Sequence, residues 1–143
     1  MLVHNLLLLQ LVATAMMTGV IWLIQRVQYP IFLGLQTDQF SKWHELHSSR
    51  ITWVVAPLMI LELATSGALV FLNEAYFLLH IFIFILTLLI WLITFFISVP
   101  LHEKLSQNGF DSSVIYSLIR TNWSRTLTYS LKLLLVIFPF LRN

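Results

Sequence analysis

The chain has 143 residues, of which 59% are hydrophobic and 10% are charged, and its formal net charge at pH 7 is +2. A soluble domain averages roughly 45–50% apolar and about 25% charged residues, so this composition excludes a water-soluble globule and indicates a membrane protein. The chain has no cysteine, which excludes disulfides, iron–sulfur clusters and thiolate zinc sites. No run of basic residues concentrates the small net charge, so the expected partners are membrane lipids and not nucleic acid.

Four apolar stretches each reach the ~20 residues that cross a hydrocarbon core. Because only closed backbone hydrogen bonding is stable in lipid, all four are predicted to be helices. The expected membrane helices cover about 3–24, 51–72, 77–99 and 123–141. The sequence therefore predicts an all-α membrane protein, with a four-transmembrane-helix bundle that forms a single domain over residues 1–143.

The connections between these helices differ in length and charge. Residues 73–76 predict a tight turn, whereas 25–50 and 100–122 are long, polar and on the opposite side of the membrane. The side of the membrane with the two long connections holds most of the basic residues, which are Arg26, Lys42, Arg50, Lys104, Arg120 and Arg125. By the positive-inside rule this side is cytoplasmic, so both termini are predicted to lie outside the cytoplasm.

The first long connection contains signals for the end of one helix and the start of another. Pro30 is expected to break the first helix, because proline lacks an N–H and its ring clashes with the preceding turn. Thr37 or Asp38 is a suitable N-cap for an amphipathic helix over about 38–50. We expect this helix to project from the membrane and to lead into the second membrane helix.

The second long connection shows a similar set of signals. Pro100 is expected to bend the third helix, and Gly109 to end it. Asp111 then caps an amphipathic helix over about 111–121, which leads into the fourth membrane helix.

Glu62 and Lys132 are charged residues inside predicted membrane helices. Counted from helix starts at residues 51 and 123, Glu62 lies eleven and Lys132 nine residues into its helix. At about 1.5 Å per residue their depths agree within roughly 3 Å. Because an isolated charge at mid-bilayer costs from about 3 to more than 10 kcal/mol, we expect a buried ion pair. Its role stays open between a structural clamp and a catalytic, proton-handling carboxylate at Glu62.

Polar residues recur on one face of the first helix and on one face of the third. The two stripes are Gln10, Thr14, Thr18 and Gln25 on the first helix, and His80, Thr87, Trp91, Thr94, Ser98 and His102 on the third. Such stripes are typical of helix–helix contact surfaces in membranes. The alternative is that they line a narrow polar cavity between these two helices.

The segment "SKWHELHSSR", residues 41–50, carries two histidines that share one face of a helix. His44 and His47 are three residues apart, and His102 emerges from the third helix on the same side of the membrane. Three histidines from two helices are a suitable ligand set for a transition metal such as zinc, copper or iron. The alternative is a group of interfacial histidines in an aromatic belt.

Two further histidines lie near the outer ends of their helices. His4 and His80 are expected at similar depth on the first and third helices. Such a pair is able to ligate a haem, provided that these two helices are neighbours.

Four segments in this order carry a family resemblance: "QYPIF", "QFSKWHELHSSRITWVVAPLMILELATS", "SVPLHEKLSQNGFD" and "LIRTNWSRTLTYSLKLLLV". They resemble a family of small four-helix bacterial membrane proteins of unknown function, which are distantly similar to the superfamily of fungal anthrone oxygenases. The matching positions are Tyr29, Pro30, His44, His47, Met59, Glu62, Pro100, Asn122, Trp123, Arg125 and Thr126. Lys132 stands where an arginine is expected, and His102 where an asparagine is usual. The resemblance implies a multi-pass protein of the bacterial inner membrane.

The resemblance also implies an oxidoreductase-like enzyme that acts on a lipophilic, quinone-like or polycyclic aromatic molecule entering from the bilayer. In that interpretation His44, His47 or His102 serves as a base or metal ligand. Arg120 or Arg125 stabilises an oxyanion or enolate. The residues expected to contact the flat ligand are Tyr29, Phe40, Trp43, Asn122 and Trp123.

The alternative is a non-catalytic accessory or structural subunit of a larger membrane complex, for example a pigment or electron-transfer complex, or a homo-oligomer. A chain of this size exposes much of the surface of its helices, which suits contact with other subunits. Whether the protein is an enzyme therefore stays open between these two interpretations. A ligand bound to the isolated chain favours the first, and stoichiometric co-purification with other subunits favours the second.

Overall fold

A computed structural model, which describes residues 1–142, consists of four long helices. The helices are α1 (Leu2–Leu33), α2 (Thr37–Leu72), α3 (Glu74–Asn108) and α4 (Ser112–Leu141), and each is long and apolar enough to cross a membrane. No strand occurs within the described residues. The predicted all-α four-helix bundle is confirmed, and the chain is a multi-pass membrane protein.

The helices pack as a square in which α1 and α3 each contact both α2 and α4. Helices α1 and α3 therefore face each other across the centre, as do α2 and α4. Residues 34–36 and 109–111 connect the helices at one end, which we call the double-turn end. Met1, Asn73 and Leu141 lie at the other end, the terminal end. The two polar segments predicted as connections belong mainly to helix extensions at the double-turn end.

Helix α2 begins one residue earlier than the capping signals indicate. Its N-cap is Gln36, which makes no side-chain capping hydrogen bond, so the expectation of an N-cap at Thr37 or Asp38 is wrong. Asp38 instead lies in the first turn, where its negative charge interacts favourably with the helix dipole. The amphipathic stretch continues into the membrane stretch without a break, giving one helix of 36 residues.

Pro30 does not break the first helix. The backbone widens into a π-helical turn at Ile24–Gln28, where the N–H of Tyr29 donates to the carbonyl of Ile24 five residues earlier, and an α-helical turn then follows. The wider turn absorbs the lost hydrogen bond and the steric clash of the proline ring. The first helix therefore extends as far as Leu33, and the expected break is corrected to a bulge.

The same device occurs before Pro100 in α3. A π-helical turn at Thr94–Ser98 precedes the proline, and the N–H of Val99 donates to the carbonyl of Thr94. Helix α3 then ends at Gly109, whose φ of 75° lies in the left-handed region that favours glycine.

Asp111 caps α4 as the sequence indicates. Its carboxylate accepts hydrogen bonds from the backbone N–H groups of Ser113, at 2.8 Å, and Val114, at 3.3 Å. A hydrogen bond from the Ser113 hydroxyl is the main cause that lowers the pKa of this carboxyl below its ordinary value. Helix α4 then continues without interruption to Leu141, so the expected amphipathic helix and membrane helix are again one element.

Candidate functional site

The predicted ion pair lies at the centre of the bundle. Lys132 Nζ is 2.7 Å from Glu62 Oε1, and both side chains are buried. The same carboxylate accepts hydrogen bonds from Thr14 Oγ1 at 2.8 Å and from Tyr129 OH at 3.1 Å. The predicted pairing is confirmed, and both oxygen atoms of Glu62 have partners from other helices.

The polar stripe of α1 extends this network. Gln10 Nε2 donates to Thr14 Oγ1 at 3.2 Å, and Thr65 Oγ1 donates to Gln10 Oε1. Side chains of α1, α2 and α4 are thereby joined around Glu62, so the stripe serves as a contact surface. This closed set of hydrogen bonds fits the interpretation of the ion pair as a structural clamp.

A chain of hydrogen-bonded rings, which we call the ring chain, lies near the double-turn end of the bundle. Tyr29 OH is 3.0 Å from His102 Nε2, and His102 Nδ1 is 3.0 Å from His44 Nε2. Beyond them, Ser106 Oγ lies 3.5 Å from His44 Nδ1. The chain joins α1, α3 and α2, because the side chains of Tyr29 and His102 meet across the diagonal of the bundle.

The three histidines come together, but they do not form the expected transition-metal site. Both ring nitrogens of His102 are occupied by hydrogen bonds, and the rings of His44 and His102 stack with centroids 5.2 Å apart. His47 also stacks with His102, and their ring centroids are 6.1 Å apart. Within residues 1–142 no group of three histidine or carboxylate side chains is arranged to hold a metal ion.

The histidine pair considered as haem ligands has separate surroundings. His80 is buried, and its Nε2 is 3.0 Å from Asn73 Nδ2. His4 is exposed and packs edge-on against Phe140, with ring centroids 6.4 Å apart. Their helices, α1 and α3, lie diagonally across the bundle, so the condition that these two helices be neighbours is not met.

A cavity of about 220 Å³ lies beside the ring chain, in the half of the bundle nearer the double-turn end. We call it the inner cavity. Its polar lining consists of Tyr29, His47, Thr52, Thr94, Ser98, His102 and Arg125. Apolar side chains such as Met59 and Phe95 form most of the remaining wall. Because Thr52, Phe95 and Val99 are exposed, the cavity opens between α2 and α3 on the lipid-facing surface.

Arg125 is the most unusual residue of this lining. Its side chain is buried, yet no carboxylate of residues 1–142 lies within 4.0 Å of it. Its Nη1 donates two long hydrogen bonds, each 3.4 Å, to Ser98 Oγ and Asn122 Oδ1, and its Nε has no partner. The indole N–H of Trp91, in the same lining, is also buried without a partner. Unused donors and an uncompensated positive charge therefore meet at this wall.

The other residues predicted to bind a ligand are distributed differently. Asn122, which accepts a hydrogen bond from Arg125, also donates from its Nδ2 to Gln25 Oε1 at 2.9 Å. It thereby fixes the position of Arg125 relative to α1. Phe40 stacks on His44, with ring centroids 5.5 Å apart, so it supports the ring chain from outside the cavity.

Three predicted residues lie away from the inner cavity. Trp123 packs edge-on against Trp22 of α1, with ring centroids 5.6 Å apart. Trp43 lines a separate outer groove together with Arg50. Arg120 is exposed on α4. None of these side chains reaches the wall formed by Arg125, so the expectation that they contact the same ligand is not supported by their positions.

The polar residues of α3 were recognisable in the sequence as a stripe, but not as the lining of a cavity between α2 and α3. Trp91, Thr94 and Ser98 line the inner cavity together with His102, so four of the six stripe residues face a cavity between α2 and α3. The three- and four-residue spacing was the available signal. Met59 also lines the cavity, but an apolar residue in an apolar helix gives no comparable signal.

The fold and the site together define a class of protein: a four-helix membrane protein with a laterally open, mainly apolar cavity and a buried, unpaired arginine in its wall. Comparison with known protein families, with curated proteins and with solved structures gives no match.

Proposed function

We propose that the protein is a membrane enzyme that binds a lipophilic, quinone-like or polycyclic aromatic molecule in the inner cavity. It removes a proton from this molecule as the first step of an oxidoreductase-like reaction. The observation that carries the proposal is the buried guanidinium of Arg125, which has no acidic partner at the wall of an apolar cavity.

A ligand oxygen would satisfy the donors that the protein leaves unused. Burying an unpaired charge is costly, and such charges in membrane segments mark functional sites by default. A carbonyl or phenolate oxygen of a ligand would accept from Arg125 Nε and from the Trp91 indole, both of which lack partners. A hydrogen bond to a charged group contributes about 1.5–3 kcal/mol, which favours the anionic form of the ligand.

The cavity wall and its entrance select for a flat, lipophilic molecule. Trp91, Phe95 and Met59 supply aromatic and sulfur surfaces on which rings stack well. The opening between α2 and α3 faces the lipid side of the bundle, so a molecule dissolved in the bilayer reaches it laterally. A ligand of this kind need not pass through water.

Tyr29 is positioned to exchange a proton with the ligand. Tyr29 lines the cavity, and its hydroxyl is 3.0 Å from His102 Nε2, which accepts the phenolic proton. The phenolate then takes the proton of an acidic ring C–H or O–H. For a ring methylene, dioxygen dissolved in the bilayer is the oxidant. One of its oxygen atoms becomes the new carbonyl oxygen and the other leaves as water.

The resemblance to the anthrone-oxygenase-like superfamily supports the same proposal. Of the positions that carry the resemblance, Tyr29, His47, Met59 and Arg125 line the inner cavity. His44 belongs to the hydrogen-bonded ring chain beside it. These positions of the resemblance thus lie at the proposed site.

We further propose that the protein resides in the bacterial inner membrane, among its lipids, with the double-turn end in the cytoplasm. The exposed basic residues Arg26, Lys42, Arg50, Lys104 and Arg120 support this orientation, because all belong to segments of that end. A reporter fused after residue 143 should be active only outside the cytoplasm. Cytoplasmic activity of the reporter would reverse the orientation.

Ligand binding is tested by filling the cavity. Ala56 lines the inner cavity, whereas Ala64 is exposed two helical turns further along α2. Anthrone serves as the probe, added to the protein in phospholipid nanodiscs and measured by mass spectrometry after removal of the unbound fraction. Ala56→Phe should reduce retained anthrone by about 10-fold or more, because a benzyl group takes the place of the ligand. Ala64→Phe should leave the retained amount unchanged.

Two outcomes would contradict the proposal. Equal retention by wild type and Ala56→Phe would show that the probe does not occupy the cavity. Absence of any retained ligand, together with stoichiometric co-purification of other membrane proteins, would favour the accessory-subunit role instead.

A further inference from the structure

A second, more polar cavity lies next to the inner cavity. This cleft has a volume of about 420 Å³ and is lined by Ser48, Ile51, Thr52, Val99, His102, Glu103 and Ser106. Glu103 and Ser106 are exposed at the double-turn end, so the cleft is open to water on that side. We call it the polar cleft.

His102 forms part of the wall between the two cavities. It lines both of them, and it is the only residue with an ionisable side chain that does so within the described part of the chain. Ser48 Oγ, in the lining of the polar cleft, is buried without a hydrogen-bond partner. An unsatisfied hydroxyl of this kind is suited to hold a water molecule in the cleft.

One set of histidine tautomers lets every hydrogen bond of the ring chain run from the inner cavity to the polar cleft. If Tyr29 OH donates to His102 Nε2, the neutral His102 ring carries its proton on Nδ1 and donates to His44 Nε2. His44 then carries its proton on Nδ1, which faces Ser106 Oγ at 3.5 Å. Every donor in this arrangement points toward the polar cleft.

We infer that Tyr29, His102 and His44 conduct a proton from the inner cavity to water in the polar cleft. This inference rests on the proposed function. Each hydrogen bond passes one proton onward: Tyr29 to His102, His102 to His44, and His44 to water, either directly or through Ser106, whose hydroxyl releases its own proton to water as it accepts one. Tyr29 is left as a phenolate, which takes the proton of the ligand, so charge and protons balance.

The groups around His102 suit this role. Tyr29 faces it from α1, and His44 and His47 face it from α2. Arg125 of α4 lines the same cavity and places a positive charge near the ring. A positive charge there opposes storage of a proton on the ring, so the imidazole transmits the proton without holding it. Glu103, exposed at the mouth of the cleft, offers an acceptor on the water side.

The experiment separates proton release from ligand binding. Wild-type protein in phosphatidylcholine nanodiscs receives anthrone without oxygen, and two signals are followed in weakly buffered solution. The visible absorption of the anthrone anion reports deprotonation, and a water-soluble pH indicator reports the released proton. Wild type should release one proton per anion formed, both at the same rate.

Removing one residue of the ring chain should block proton release but not the binding of anthrone. His44→Phe keeps a ring stacked on Phe40 and loses both ring nitrogens, so anion formation should slow by about 100-fold while anthrone retention stays within about twofold. His44→Ala should recover when imidazole is added to the aqueous phase, a response that a purely structural role would not produce. His4→Phe, at the terminal end, is the matched control and should behave as wild type.

Tyr29→Phe tests the proton path independently if the His44 variants do not fold. It removes a single oxygen atom and therefore disturbs the packing least. It should bind anthrone and form no anion. Anion formation at the wild-type rate in His44→Phe or Tyr29→Phe, with anthrone bound, would overturn the proton path while leaving the proposed binding intact. Failure of wild type to bind anthrone would instead overturn the proposed function and the inference together.

Discussion

Glu62→Gln and Lys132→Met are each expected to lower the free energy of unfolding by about 3–5 kcal/mol, because each leaves a buried charge without its partner. The two groups are 2.7 Å apart and 1% or less exposed, so water does not screen the remaining charge. The double variant Glu62→Gln/Lys132→Met should be far more stable than the sum of the single losses predicts, since removal of both charges can be nearly neutral. Unfolding in mixed detergent micelles measures all four members of this cycle.

A control pair is available on α3. Glu74 and Lys104 are both exposed and lie toward opposite ends of this helix, so their substitutions to Gln and Met should be additive. Additive losses for Glu62 and Lys132 would mean that the pair carries no coupling, against the geometry of the network. If the double variant is stable and still deprotonates anthrone, the ion pair serves only as a clamp. If it is stable but inactive, Glu62 also takes part in the chemistry.

Arg125→Met is expected to change stability and ligand binding in opposite directions. Methionine has a similar length, fits the mainly apolar surroundings and removes an unpaired buried charge, so the ligand-free protein should become more stable by about 1–3 kcal/mol. Anthrone anion should no longer accumulate, because the guanidinium that stabilises it is absent; the loss corresponds to roughly 2–5 kcal/mol of binding energy. Thermal unfolding without ligand and the visible absorption of the anion measure the two effects.

Arg120→Met is the matched control, because Arg120 is exposed on the same helix. It should alter neither quantity appreciably. A large loss of stability in Arg125→Met would show that its long hydrogen bonds to Ser98 and Asn122 hold the bundle together, and the ligand-binding role would then lose its main support. If Arg125 is kept for ligand binding at a cost in stability, Arg125→Met should instead be more stable than wild type.

Some features could be derived from the sequence because they depend on local chemistry or on the thickness of the bilayer. Apolar length alone predicts four membrane helices, since lipid excludes unsatisfied backbone groups. The cap at Asp111 and the helix end at Gly109 follow from side-chain and backbone preferences within a few residues. The Glu62–Lys132 pair could be predicted because helical rise gives depth, and an isolated charge at that depth is too costly.

The helix geometry at Pro30 could not be predicted from the local sequence alone. Proline predicts the loss of a hydrogen bond, and it does so correctly, but it does not determine whether the chain breaks or bulges. The apolar surface of the following turn is buried in the bundle, with Phe32 1% exposed, and this packing favours continuation through a π-helical turn. The balance between local strain and burial is a property of the whole bundle.

The site itself was decided by tertiary structure. The sequence supplied Tyr29, His44, His102 and Arg125 as candidates, but their hydrogen bonds depend on which helices are diagonal and on the rotation of each helix about its axis. The charge pattern also grouped Arg125 with the basic residues on the side of the long connections, whereas the structure buries it beside the inner cavity. The physical reason is that spacing along a helix fixes which residues share a face. Only the packing of all four helices determines what that face meets.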